Sequence, residues 1–313
     1  MFLSEAFRIQ TRLCLSDLIP LVKALSLVKS NATAAVVHPL IENIVDVPSI
    51  AGPKIKMLDY HTMVPTYSES DWSSKLRGVA FYSATGFVAI FLFVVMLASH
   101  PFVLLFDRYK RKAHHVIGKI WASLTIYPFF NVKFEGLENL PPSDNPAVYV
   151  SNHQSFLDIY TLLTLGRTFK FISKTGVFVI PIVGWAMFLM GLIPLRRMDS
   201  SSQLECLKRC MDLVRKGASV FFFPEGTRSR DGKLGAFKKG AFSVAAKTRV
   251  PVVPITLMGT GNLMPAGRED LLNTGSVRVV IHKPIEGSNP EILCNVARTA
   301  IADVLLRHGY GVH

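Results

Sequence analysis

The chain has 313 residues, half of them hydrophobic, with 35 Lys plus Arg against 22 Asp plus Glu and a net charge of +13. That length suits one domain of about 200–250 residues with extra segments, or two small domains, and the positive mean hydropathy leaves apolar surface for a membrane after a core is filled. A cationic surplus of this size asks for nucleic acid, anionic lipid or a phosphorylated substrate, while four cysteines without a CxxC pair or a Cys/His cluster argue against a disulfide framework or a metal site.

Residues 1–75 show no regular pattern. The first forty hold only Glu5 and Asp17 as acids beside Arg8, Arg12, Lys23 and Lys29 among Ser, Thr and Ala. This fits an organellar transit peptide or an amphipathic surface helix. From Gly78 to Phe106 the chain runs 29 residues without Asp, Glu, Lys or Arg. About twenty apolar residues span a bilayer core, so the run is long enough for one crossing. Pro101 inside it predicts a kink, or a break with a short return. Residues 107–119 then carry five Lys or Arg against one Asp. A basic cluster beside an apolar segment marks the untranslocated side and suits anionic headgroups.

Beyond residue 145, short apolar runs alternate with helical patterns. Strands are predicted at Ala147–Ser151, Thr168–Ser173, Leu192–Leu195, Ser219–Phe223, Pro251–Leu257 and Ser276–His282. Helices are predicted over about 155–166, 176–189, 200–216, 235–248 and 289–308, with Gly217 as a helix stop. The expected fold class is α/β, a mostly parallel sheet flanked by helices, preceded by a membrane-anchoring helical segment. The expected domains are 1–75 (N-terminal segment), 76–135 (anchor and basic juxtamembrane region) and 136–313 (α/β domain). Cys206 and Cys210, four apart, share one helix face and read as buried thiols.

Four stretches carry chemistry. In VSNHQSFLD, residues 150–158, His153 and Asp158 are five apart and would diverge by about 140° inside one straight helix. They can meet if His153 lies in the turn before the helix and Asp158 in its first turns. The carboxylate would then hold one ring nitrogen and leave the other as a general base. In FFFPEGTRSRDG, residues 221–232, Gly226 permits close backbone approach, Thr227 offers a hydroxyl, and Arg228 presents a fork suited to a phosphate monoester. Glu225 is placed to orient that arginine, and Arg230, Lys233, Lys238 and Lys239 add positive field. Lys174 and the block ending in Arg196 and Arg197 enclose an apolar stretch that can pack in the core or line an acyl slot. In VPVVPITLMGTG, residues 250–261, Pro251 and Pro254 favour an edge strand or a bulge beside the site.

NHQSFLD, the Lys174-to-Arg197 block, FPEGTRSRDG with FKKGAF, and VPVVPI resemble, in this order, the four motifs of the glycerolipid acyltransferase family. The resemblance covers about residues 100–290 and is nearest to the 1-acylglycerol-3-phosphate acyltransferases of bacterial and plastid type. It implies that His153 is the base and Asp158 its orienting partner. It implies acceptor binding by Glu225, Gly226, Thr227 and Arg228, contact of Lys174 with Arg196 or Arg197 to the acceptor phosphate, and a link of Pro254 to acyl-donor use. No bound cofactor or metal is implied. The implied partners are lysophosphatidic acid, acyl-CoA or acyl carrier protein as donor, and a bilayer with anionic headgroups, with the plastid envelope or the endoplasmic reticulum as location. Alternatives are acylation of another acceptor such as glycerol 3-phosphate, hydrolysis of the thioester by water, and a non-catalytic basic membrane-binding protein. Nucleic acid is not expected, because no recognition helix, zinc site or aromatic RNA-binding signature is present.

Overall fold

The computed structural model describes residues 71–313. The expected transit peptide or surface helix, and Cys14 with it, lie outside the described residues. The first described element is α1, Asp71–Phe106, which continues through Pro101 although that residue has no N–H to donate to the preceding turn. A single continuous helix, rather than a break and return, is therefore what forms. At about 1.5 Å per residue α1 is on the order of 54 Å long. A tight turn leads into α2, Lys112–Ile126. The two helices run antiparallel, since the Trp121 indole N–H donates to the Thr85 carbonyl (3.2 Å) while His100 meets His114 (3.0 Å) near the turn.

The strands are β1 (Asn131–Glu135), β2 (Val148–Ser151), β3 (Phe169–Lys174), β4 (Ile193–Leu195), β5 (Ser219–Phe222), β6 (Val252–Met258) and β7 (Ser276–Ile281). They form one sheet in the order β1-β7-β6-β2-β5-β3-β4. Every pairing is parallel except β6 with β7. The helices between them are α3 (Leu157–Thr164), α4 (Val183–Met190), α5 (Ser200–Arg215), α6 (Gly240–Thr248), α7 (Thr260–Leu263) and α8 (Pro290–Arg307). Asp199 and Asn289 cap α5 and α8 by accepting backbone N–H bonds in the first turn.

Residue alternation sorts the sheet into two faces. Val148, Val150, Val220 and Val252 turn to one side and pack on α5, α6 and α8 through Cys206, Cys210, Phe242, Leu293 and Ala297. Tyr149, Phe169, Phe171 and Phe221 turn to the other side, where their rings stack among themselves and against α1, α2 and α3. Cys206, Cys210 and Cys294 are buried free thiols.

Three expectations are corrected. β1 pairs with β7, so the sheet begins at Asn131, inside the stretch expected to be juxtamembrane. The stretch expected as one helix over 176–189 is a 3-10 turn, Thr175–Val179, then Pro181, then α4. β6 is interior rather than at an edge. Pro254 is tolerated there because its missing N–H falls where the antiparallel ladder ends. The ladder starts at Ile255↔Ile281, and the His282 amide donates to the Pro254 carbonyl at 3.0 Å.

The basic stretch 107–119 is partly committed to the protein itself. Arg111, at φ 56°, donates to the Phe188 and Leu189 carbonyls at the end of α4. Lys110 and Lys112 both reach Asp144. Beneath them Lys170 of β3 is fully buried. Its ammonium donates to the Lys110 and Met190 carbonyls (2.8 and 2.7 Å) and lies 3.0 Å from His115 Nε2. Burial, with Arg111 close by, pulls Lys170 down to about 7.

Candidate active site

The site forms at the carboxyl ends of the parallel strands, where open α/β sheets place ligands. β2 ends at Ser151, and the Asn152 side chain then continues its pairing. The Asn152 amide donates to the Leu257 carbonyl and its oxygen accepts the Leu257 N–H, both at 2.8 Å. With the side chain holding β6, the backbone is free to turn, and His153 occupies that turn. Asp158 lies in the first turn of α3, completely buried. Its Oδ2 accepts three donors: His153 Nδ1 at 2.7 Å, the Gln154 amide at 2.7 Å and the Ser155 amide at 2.9 Å. A carboxylate can only accept here, so the proton sits on Nδ1 and the lone pair on Nε2. The His153 ring stacks on Phe223, centroids 3.9 Å apart.

After β5 the chain bends at Pro224, and the Gly226 amide donates back to the Phe223 carbonyl. Gly226 has φ 79°, and a Cβ there would lie 3.0 Å from Lys238 Nζ. Glu225 does not touch Arg228 in the way expected. Its carboxylate accepts the His153 amide (2.8 Å) with one oxygen and the Gly235 amide (2.9 Å) with the other. Burial raises its carboxyl above the usual range, and those two amides work against the rise. Ser229 completes the join by donating its amide to the His153 carbonyl at 2.8 Å. The carboxylate that meets Arg228 is Glu269, at 2.6 Å.

His153, Gly226 and Arg228 border a cavity of about 850 Å³. Its wall also carries the cations Lys174, Arg197 and Lys238. The rest is largely apolar and includes Ala89, Leu92, Phe93 and Met96 of α1, Gly118 and Trp121 of α2, and Met187 of α4. Asp158 stands behind His153 rather than on the wall. Glu225, exposed Thr227, Arg196 and buried Pro254 are also outside the lining. Among the described residues no cluster of three or more His, Cys, Asp or Glu side chains could hold a metal.

Residues 131–258 match a family model described as Acyltransferase. Over 240 residues the chain is 67% identical to a chloroplastic 1-acyl-sn-glycerol-3-phosphate acyltransferase of Brassica napus, covering 76% of this chain and 70% of that protein. The chain belongs to the 1-acyl-sn-glycerol-3-phosphate acyltransferase family. The chloroplastic member from Arabidopsis thaliana is 69% identical over 74% of this chain, which spans 65% of that relative's length. The crystal structure of the 1-acyl-sn-glycerophosphate acyltransferase PlsC from Thermotoga maritima superimposes with a TM-score of 0.62 at 29% identity, covering 75% of this chain and 97% of that one.

Three supporting residues carried no signal in the sequence. Asn152 reads as a generic turn residue, yet it is the join between β2 and β6. Phe223 reads as one more strand aromatic, yet it forms the shelf under His153. Glu269 sits in a loop 41 residues beyond Arg228, and no local spacing announces the pair.

Proposed function

We propose that the protein transfers a fatty acyl group from a thioester of coenzyme A or acyl carrier protein to the sn-2 hydroxyl of 1-acyl-sn-glycerol 3-phosphate, giving phosphatidic acid at a plastid envelope membrane. The observation that carries this reading is the cavity itself. Its wall combines an oriented histidine with Arg228, Lys174 and Arg197 and a larger set of apolar side chains. A lysophosphatidic acid calls for both, since it joins an anionic headgroup with a free hydroxyl to a long acyl chain. In the reaction, His153 Nε2 takes the hydroxyl proton as that oxygen attacks the thioester carbonyl. The carbon–sulfur bond then breaks, and the leaving thiolate takes the proton back from the imidazolium. Asp158 fixes the tautomer and steadies the transient positive charge. Direct attack by the acceptor requires no acyl-enzyme.

Location follows the same reading. The relatives named chloroplastic support a plastid, and α1 supports a membrane there, since its Trp72–Phe106 stretch is long and apolar with 11% of its most apolar window buried. The test is acyl transfer by protein reconstituted in vesicles, with labelled lysophosphatidic acid and either acyl-CoA or acyl carrier protein thioester, beside His153→Ala. Phosphatidic acid from the wild type alone supports acceptor, reaction and base together. Thioester loss without acceptor would favour a hydrolase, and product only from glycerol 3-phosphate would replace the acceptor.

A further inference from the structure

Between Lys174 and Arg196 lie 21 residues without a single charge, TGVFVIPIVGWAMFLMGLIPL. They fold as a compact knob. The 3-10 turn Thr175–Val179 leads through Pro181 to Ile182, which sits at φ 63°. A β-branched residue in that region is strained. Gly184 then brings α4 closer to the Phe178 carbonyl than any side chain would allow. The knob has two apolar faces. Val177, Ile182, Ala186 and Met187 form part of the cavity wall. Val179, Ile180, Trp185 and Phe188 point away from the cavity and are each about half exposed. A helix apolar on all sides belongs in a core or a membrane, and α4 is in neither within the protein alone. At eight residues it is about 12 Å long, too short to cross a bilayer.

The neighbours of the outer face indicate what covers it. Trp185 packs on Phe93 of α1, ring centroids 6.0 Å apart, so the knob adjoins the stretch of α1 whose Ile90, Phe91, Val94 and Val95 are exposed. Lys174 and Arg196–Arg197 bracket the knob, cations set at the level where a buried apolar segment would meet anionic headgroups. We propose that Thr175–Gly191 is a second membrane-embedded element, seated in the same leaflet as α1, whose outer face meets lipid acyl chains while its inner face is the lipid-side wall of the cavity. Acyl chains then enter between the knob and α1 without leaving the bilayer. This rests on the reading that α1 is membrane-embedded and that the cavity takes acyl chains.

The test uses the full chain in vesicles of phosphatidylglycerol and phosphatidylcholine carrying brominated acyl chains. Trp185 is read as the difference between wild type and Trp185→Phe, and Phe91→Trp in the Trp185→Phe background reports α1. Quenching of both by chain-brominated lipid supports the proposal. Quenching of the α1 probe with Trp185 unaffected overturns it and leaves the membrane reading of α1 standing. No quenching of either overturns both. Trp185 shielded from aqueous acrylamide yet untouched by brominated lipid, in protein that is dimeric in nanodiscs, overturns it in favour of self-association. Ile180→Asp, off the cavity wall, is expected to lower turnover of vesicle-borne acceptor at least tenfold relative to a short-chain soluble acceptor, and an equal effect on both would count against the proposal.

Discussion

Arg228 Nη1 lies 2.6 Å from Glu269 Oε1, and the Glu269 backbone carbonyl in turn accepts the Tyr82 hydroxyl at 2.9 Å. One loop thus ties the cavity-lining arginine to α1. A single guanidinium nitrogen makes this bond, and the rest of the planar fork has a geometry suited to a phosphate. Both side chains are about one-third exposed, so the pair is worth roughly 1 kcal/mol at most. Glu269→Ala is expected to raise the Michaelis constant for lysophosphatidic acid by roughly two- to fivefold with little change in turnover or in the constant for the acyl donor. Steady-state kinetics with each substrate varied separately checks this, and a lowered acceptor constant would mean that Glu269 competes with phosphate instead.

His153→Ala removes a cavity-lining imidazole whose Nδ1 is held by the buried Asp158 carboxylate. Turnover is expected to fall by about 10²–10⁴-fold while circular dichroism and melting stay near those of the wild type. A variant that keeps near-normal turnover in vesicles would sink the base assignment.

Asp158→Asn tests charge. All three donors share Oδ2, so an Asn oxygen in that place can still accept them, but the neutral amide cannot balance the positive charge that forms on the His153 ring. Turnover is expected to drop by about 10²-fold or more, with the acceptor constant nearly unchanged. Asp158→Ala, which also strands two backbone N–H groups, should in addition melt at a lower temperature.

Glu225→Gln separates positioning from substrate binding. A glutamine can accept one of the two backbone amides but presents N–H to the other. If the carboxylate holds the His153 turn, turnover falls and the acceptor constant moves little. A change confined to the acceptor constant would return Glu225 to direct phosphate or glycerol contact.

Lys170 gives a pH signature. Its folded value near 7 lies below its ordinary 10.5. Between those values the unfolded chain binds one more proton at this position than the folded chain, so stability rises with pH. The component is complete above the ordinary value and is lost as pH falls through the folded one. Melting temperature is therefore expected to climb from about pH 7 to about pH 9. Lys170→Met should melt lower throughout, because the Lys110 and Met190 carbonyls lose their donor, but with a flatter dependence. Equal slopes in the two proteins would refute it.

How much of this was legible in the sequence depends on range. His153 and Asp158 are five residues apart, and one turn brings them together, so local geometry sufficed. The strands from β2 to β7 announce themselves because each is a short apolar run closed by polar residues. β1, NVKFE, does not, since as an edge strand it is half exposed and carries Lys133 and Glu135. The sequence predicts a start of α6 near residue 235, but residues 235–239 are held outside the helix, Gly235 by Glu225 and Lys238 by the Pro224 carbonyl. Pro254 misled because a strand proline is forbidden only where its N–H would be needed, and that depends on where β7 stops pairing. Arg228 with Glu269, and Asn152 with Leu257, are products of the assembled sheet and leave no trace in spacing.

One wall of the cavity is α1, a helix whose far side is bare apolar surface. The slot is therefore finished partly by whatever coats that helix. A detergent that solubilises the protein coats it with a curved, fluid layer, where a bilayer would line it with ordered acyl chains. Acyl-chain preference measured in micelles then belongs to the micelle as well as to the protein. The ratio of turnover for short and long acyl donors should differ between detergent and nanodiscs, and it is the nanodisc ratio that describes the enzyme at work.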